Sequence, residues 1–137
     1  MKQRTLFRSL NVRLMLVGWA LIVLAGCSQS VNIQLAPEVS VFHSSDPKHE
    51  IRLAADHPAY QEFNAWLTDN PDGWYGVSGR FQGGVFIQSG VQGIQVLNTE
   101  VVVYAKQQGG LSATHVHEIG PGELNNIKQL HRNADNK

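Results

Sequence analysis

The sequence predicts an α+β domain: a small antiparallel β-sheet, built as a meander, with one or two helices packed on one face. Three observations carry this. Eleven of the thirteen glycines fall between Gly73 and Gly122, and the stretches between them are rich in β-branched and aromatic residues, the composition of short strands joined by tight turns. Ahead of that region Tyr60, Phe63, Trp66 and Leu67 recur at helical spacing, which places them on one face of a helix. Behind it, Leu124, Ile127 and Leu130 repeat every third residue, a second and shorter amphipathic pattern.

Taken in order, the domain is expected over residues 37–132, preceded by a tether over 27–36 and followed by a polar tail over 133–137. Val31, Ile33 and Leu35 also alternate with polar residues, as do Val39 and Val41. That period of two fits a strand with one buried face as well as it fits a tether. His43 to Glu50 is polar, and Asp46-Pro47 marks a turn; Ile51 and Leu53 suit another short strand. Asp56-His57-Pro58 opens the main helix, with Asp56 as the capping residue and proline at the first helical position, where its missing N–H costs nothing. Asn70-Pro71-Asp72-Gly73 stops it. The strands that follow are expected around Val85–Ile87, Ile94–Leu97, Val101–Ala105 and Ser112–Ile119. Gln107-Gln108-Gly109-Gly110 forms a hairpin turn, and Pro121 opens the last helix.

The 137 residues carry eleven basic and eleven acidic side chains, and the balance conceals a split. Lys2, Arg4, Arg8 and Arg13 lie at the N-terminus, whereas every acidic residue lies beyond residue 37. The twelve residues Leu14–Ala25 are uncharged. They are too few to cross a bilayer, which takes about 20, but fit the apolar core of a secretory signal. Leu24-Ala25-Gly26-Cys27 follows, and Cys27 is the one cysteine of the chain. These residues resemble the lipobox of bacterial lipoproteins. The resemblance covers residues 1–28. It implies cleavage after residue 26, lipid on Cys27, and, because Ser28 and not Asp follows, sorting to the outer membrane facing the periplasm. Several acyl chains on one residue would anchor the protein stably. Residues 27–137 keep seven basic against eleven acidic side chains, a net charge of −4. That excludes a basic nucleic-acid-binding face. With no second cysteine, no disulfide braces the domain.

Candidate chemistry is sparse. His115 and His117 sit two apart on an expected strand and so share a face, about 7 Å apart. Zinc or copper would need a third ligand from His43, His49, His57 or His131; otherwise the two histidines line the solvent face of the sheet. Gly76-Val77-Ser78-Gly79-Arg80 starts like a nucleophile elbow, but Arg80 stands where glycine is needed and no strand–turn–helix surrounds it. A cell-wall hydrolase would need paired carboxylates such as Asp46, Glu50, Asp56 and Glu62 across a cleft. Phosphate-binding glycine motifs are absent. Trp74, Tyr75 and Arg80 form a glycine-bounded group of the residue types that dominate protein interfaces; alternatively Trp74 closes over the helix as a lid on the core.

The leading expectation is therefore a non-enzymatic, membrane-anchored envelope lipoprotein that needs no cofactor beyond its covalent lipid and binds a protein or other envelope macromolecule, as a toxin-immunity protein or an envelope-assembly accessory would. A metal- or small-ligand-binding module through His115 and His117 is the alternative, and a cell-wall hydrolase the third.

Overall fold

A computed structural model describes residues 28–134; the readings for the signal peptide, for Cys27 and for the end of the polar tail lie outside them. In chain order the elements are β1 (Glu38–His43), β2 (Asp46–Ala54), α1 (Pro58–Asp69), β3 (Tyr75–Gly76), β4 (Val85–Ser89), β5 (Gln92–Val96), β6 (Glu100–Gln107), β7 (Gly110–Glu118) and α2 (Asn125–Ala134). The strands make one seven-stranded sheet in the order β2-β1-β4-β5-β6-β7-β3. Every pairing is antiparallel, so the expected α+β meander is the fold. Its central part, β4 to β7, joins neighbours through tight turns. β1 pairs with β4 across a long sequence gap because the chain leaves the sheet after β2 and returns at the opposite edge.

Both departures follow from local chemistry. Between β2 and β3 the chain forms α1, whose buried residues are Ala59, Tyr60, Phe63, Trp66 and Leu67. They pack on the face carrying Val39, Val41, Leu53, Ile87, Ile94, Val96, Val101 and Val103. Pro58 occupies the first turn as expected, but the cap is His57, not Asp56: the His57 ring nitrogen Nδ1 accepts the N–H of Ala59 at 3.1 Å. Asn70 ends the helix, with its backbone N–H and its side chain both donating to the carbonyl of Trp66. Between β3 and β4 the chain crosses the other face as a strap, residues 77–84. Its course is fixed by Val77 N–H donating to Thr114 O, Ala113 N–H to Gly79 O, and Phe81 N–H to the Tyr104 hydroxyl. The sheet is thus covered by helices on one side and by a single strand of chain on the other.

Four boundaries differ from the sequence expectation. The first hairpin turns at Ser44-Ser45, because His43 pairs with Asp46; Asp46-Pro47 begins a nine-residue β2 instead of turning. This places Pro47 on an edge strand, where a missing donor is tolerated. Pro121 does not open α2. It lies in a turn closed by Glu123 N–H donating to Gly120 O, and the helix starts four residues later, after Leu124, which is buried at a positive φ of 57°. A non-glycine residue pays about 1–2 kcal/mol for that conformation, offset here by burial of its side chain. Within β7, Val103 pairs with His115 and Tyr104 with Ala113. Thr114 is therefore an extra residue, a bulge that strict alternation cannot reveal.

The fourth concerns residues 29–36, which do not behave as a tether. Gln29 and Trp74 exchange backbone hydrogen bonds at 2.6 and 3.3 Å, and Val31 N–H donates to Pro71 O at 2.7 Å. Ile33 is buried in the main core, with Val31 and Leu35 packed beside it. Ala36 N–H donates to Ser89 Oγ, and Tyr60 donates its hydroxyl to Ala36 O, each at 2.8 Å. The alternation of Val31, Ile33 and Leu35 reflects a buried face, as a strand would, yet apart from the Gln29–Trp74 bridge the segment joins no ladder.

Trp74 lies where these parts meet. It is fully buried, donates Nε1–H to Asn70 O at 2.8 Å, and meets Trp66 edge-on at 6.1 Å between ring centroids. It is the lid on the core, not a partner-binding residue. Trp74→Ala is expected to lower stability by about 3–5 kcal/mol. Tyr75→Ala, at a neighbour that is 38% exposed, should change it by no more than about 0.5 kcal/mol. Chemical denaturation of the two variants checks this; equal losses would contradict it.

Candidate functional site

The two histidines proposed as metal ligands share a face, as their spacing requires, but it is the helix-covered face. Val101 pairs with His117 and Val103 with His115, and both valines belong to the main core. His115 reaches Gln29 Oε1 through Nε2 at 2.8 Å and Thr114 Oγ1 through Nδ1 at 3.1 Å. His117 stands edge-on to both Trp66 and Trp74, at 5.2 and 5.1 Å. Its nitrogens meet the carbonyls of Glu118 at 2.6 Å and Asp72 at 3.0 Å. Both rings are thus engaged in holding β7 to the turn after α1 and to the N-terminal segment. Among the described residues no group of three or more His, Cys, Asp or Glu gathers around them. His43, His49 and His57 lie on β1, β2 and the cap of α1; the side chain of His131 is outside the described set.

The carboxylates considered for hydrolysis are dispersed. Asp46 contacts His49, whose hydrogen bond holds the Asp46 carboxyl below the usual carboxylate range. Glu50 accepts the hydroxyl of Ser40 at 2.6 Å and lies 3.6 Å from Arg52. Glu62 accepts the N–H of Asn126 at 3.1 Å. Asp56 is exposed before the helix. Ser78 lies exposed in the strap.

The face away from the helices holds a concavity of aromatic character. Cross-strand register lines up Phe42, Phe86, Gln95, Val102, Val116 and Tyr75 in one row across six strands. The parallel row contains Ser40, Gln88, Gly93, Tyr104 and Ala113. Where the two rows pass beneath the strap, Phe42 stacks on Phe86 at 5.1 Å and Phe86 tilts against Tyr104 at 5.7 Å. Gly93 makes room for this: a Cβ there would stand 2.7 Å from the Phe86 ring. The result is a cleft of about 350 Å³ lined by these rings together with Phe81, Leu111, Gln95, Ser44 and Arg80, a size ordinary for ligand and side-chain pockets.

Its polar groups are spent on building it. Tyr104 donates its hydroxyl to Gln95 Oε1 at 2.6 Å and accepts Phe81 N–H at 3.0 Å; Gln95 Nε2 donates to the strap carbonyls of Gly83 and Phe81. Gln95 and Tyr104 are both buried, so the network is a set of satisfied interior bonds that pins the strap to the sheet. Burial pushes the Tyr104 phenol above the usual tyrosine range, partly countered by the Phe81 hydrogen bond and by the charge of Arg80. Arg80 itself is exposed, lines the cleft, and forms no hydrogen bond or ion pair among the described residues.

Of the three residues expected to bind a partner, the structure therefore keeps one at the cleft. Trp74 is in the core. Tyr75 lies on the same open face but at its β3 edge, four strand spacings from Phe86. Burial raises its phenol, and the Glu100 and Glu118 carboxylates add to the shift. Phe42, Phe81, Phe86, Tyr104 and Leu111 were not among the residues expected to form a site. The available signal was that Val85-Phe86-Ile87 and Val101 to Tyr104 are apolar on both faces, which calls for cover on both. Comparison of the chain with family models, with curated proteins and with solved structures returns no match.

Tyr104→Phe leaves Gln95 Oε1 and Phe81 N–H without a partner, and should cost about 1–3 kcal/mol. Amide exchange at Phe81 and in the strap should speed up more than exchange in β4 to β6. Because the folded-state phenol titrates above its unfolded value, the stability it contributes is complete below about pH 10 and is lost as pH rises through the folded value. The mutant should show a shallower alkaline loss of stability than wild type. An unchanged alkaline limb would show that Tyr104 is not the group responsible.

Proposed function

We propose that this chain is a non-enzymatic lipoprotein of the outer membrane, facing the periplasm, whose domain binds a protein partner at the open face of the sheet. The observation that carries the reading is the cleft itself. Four aromatic rings and Leu111 form an apolar pocket on the face the helices leave open, with the guanidinium of Arg80, unpaired among the described residues, beside it. In a mature chain of net charge −4, an arginine without a counter-charge next to aromatic anchors suits a partner segment that brings a carboxylate and a bulky apolar side chain. No carboxylate lines the cleft, and the Tyr104 hydroxyl is committed to Gln95 and Phe81. That favours binding over hydrolysis. The anchor part of the reading is carried by the Leu24–Cys27 lipobox.

A charge-swap series tests the binding site. Peptides pairing a Phe or Leu with Asp or Glu should bind the mature protein in detergent, as read by fluorescence anisotropy, while the same peptides with Lys in place of the acid should not. Arg80→Glu should weaken the acidic peptides by roughly tenfold or more, about 1.4 kcal/mol, and favour the basic ones, with the melting temperature unchanged. Binding indifferent to the sign at residue 80 would reject the site.

A further inference from the structure

We infer that the lipid anchor joins the folded domain without a free tether, so that the turn Pro71–Trp74 and the β3 edge of the sheet rest in the headgroup layer of the membrane. The inference rests on the lipoprotein reading above and adds to it where the domain stands.

It follows from the bonds of residues 29–31. Gln29 is tied to Trp74 by two backbone hydrogen bonds and to His115 through its side chain at 2.8 Å. Ser30 donates its hydroxyl to the Asp72 carboxylate. Val31 is bonded to Pro71 O at 2.7 Å. These partners belong to the turn after α1 and to β7, the rigid part of the domain around the fully buried Trp74. Only Ser28 stands between Gln29 and Cys27. Two residues of extended chain span at most about 7 Å. A free linker of ten residues would give a mean reach of about 17 Å and a far larger maximum. Acyl chains on Cys27 must lie in the hydrocarbon, which puts that residue at its border. The headgroup region beyond is about 5–8 Å deep on each side. Gln29 and the strand-like partner it is bonded to therefore lie within headgroup depth.

The position is imposed by the covalent chain and not by charge. Asp72 is the ionisable residue of the Pro71–Trp74 turn, and it offers anionic lipid nothing to attract. The sheet-borne rings of the cleft, Phe42, Phe86 and Tyr104, lie two to five strand spacings from β3, about 9–24 Å across the sheet. The turn Pro71–Trp74 contributes no residue to that cleft.

The test places a single thiol-linked fluorophore on the lipidated full-length product, reconstituted in phosphatidylethanolamine–phosphatidylglycerol vesicles containing lipid nitroxide-labelled near the headgroup. With Cys27 lipidated, the chain has no other thiol, so Asp72→Cys and Val91→Cys each carry one label. Residue 91 is 90% exposed in the β4–β5 turn. The label at residue 72 should be quenched several-fold more than that at 91, equally at low and at high salt. Inserting eight Gly/Ser residues between Ser28 and Gln29, ahead of the first hydrogen bond, should abolish the difference while leaving the melting temperature unchanged. Palmitate incorporation is scored on the same samples, with Cys27→Ser as the blank. Palmitate on Cys27 with equal, weak quenching at 72 and 91 overturns this inference alone. Absence of palmitate overturns the lipoprotein reading and this inference with it.

Discussion

The burial of Trp74 is the constraint on which the rest of the molecule depends. This one residue joins three parts of the chain: α1, β7 and the N-terminal segment. Its N–H bonds the end of α1 at Asn70, its ring edges meet Trp66 and His117, and its backbone pairs with Gln29. The chain must turn sharply after Asn70 to put the ring there. That turn sends it to the far edge of the sheet as β3, from which it can only return across the open face. The strap over residues 77–84, and so the cleft beneath it, are consequences of where the tryptophan is held. His117 completes the arrangement by packing edge-on against both indoles, with its nitrogens on the carbonyls of Asp72 and Glu118.

The two faces of the sheet are stabilised differently. On the helix side the core is aliphatic and aromatic, large, and indifferent to exact geometry within the usual limits of packing. On the other side the apolar cluster of Val102, Tyr104, Ala113 and Val116 is small, and a buried polar pair, Gln95 and Tyr104, fixes the strap. Hydrogen bonds of that kind add little net stability when made and cost much when broken. They specify one position for the strap, and with it one shape for the cleft.

The sequence made legible whatever depends on local period. The 3.6-residue recurrence of Tyr60, Phe63, Trp66 and Leu67 marked α1, and the glycine-punctuated β-branched runs marked β4 to β7. Features set by competition between neighbours were not legible. Asp56 suits a helix cap by residue type, but the helix begins at Pro58 and the cap bond falls to the ring of His57. Asp46-Pro47 is a strong turn signal overridden because β1 and β2 pair best with Ser44-Ser45 at the tip. Pro121 was free to open a helix, but the buried Leu124 at positive φ resets the start. The bulge at Thr114 leaves no trace in composition. The cleft depends on β1 lying beside β4, a pairing more than forty residues long in sequence, so Phe42 and Phe86 could not be brought together from their spacing. Residues 29–36 show the same limit: their alternation was visible, their docking partner was not.

The β2 strand closes one edge of the sheet and offers its outer side to solvent over nine residues. An open ladder of that length would invite pairing with the edge of another copy. The residues along it oppose this: Pro47 withholds a donor, and Lys48, His49, Glu50 and Arg52 place charge and ionisable groups along the rim. An edge so furnished disfavours the addition of a further strand from a second copy.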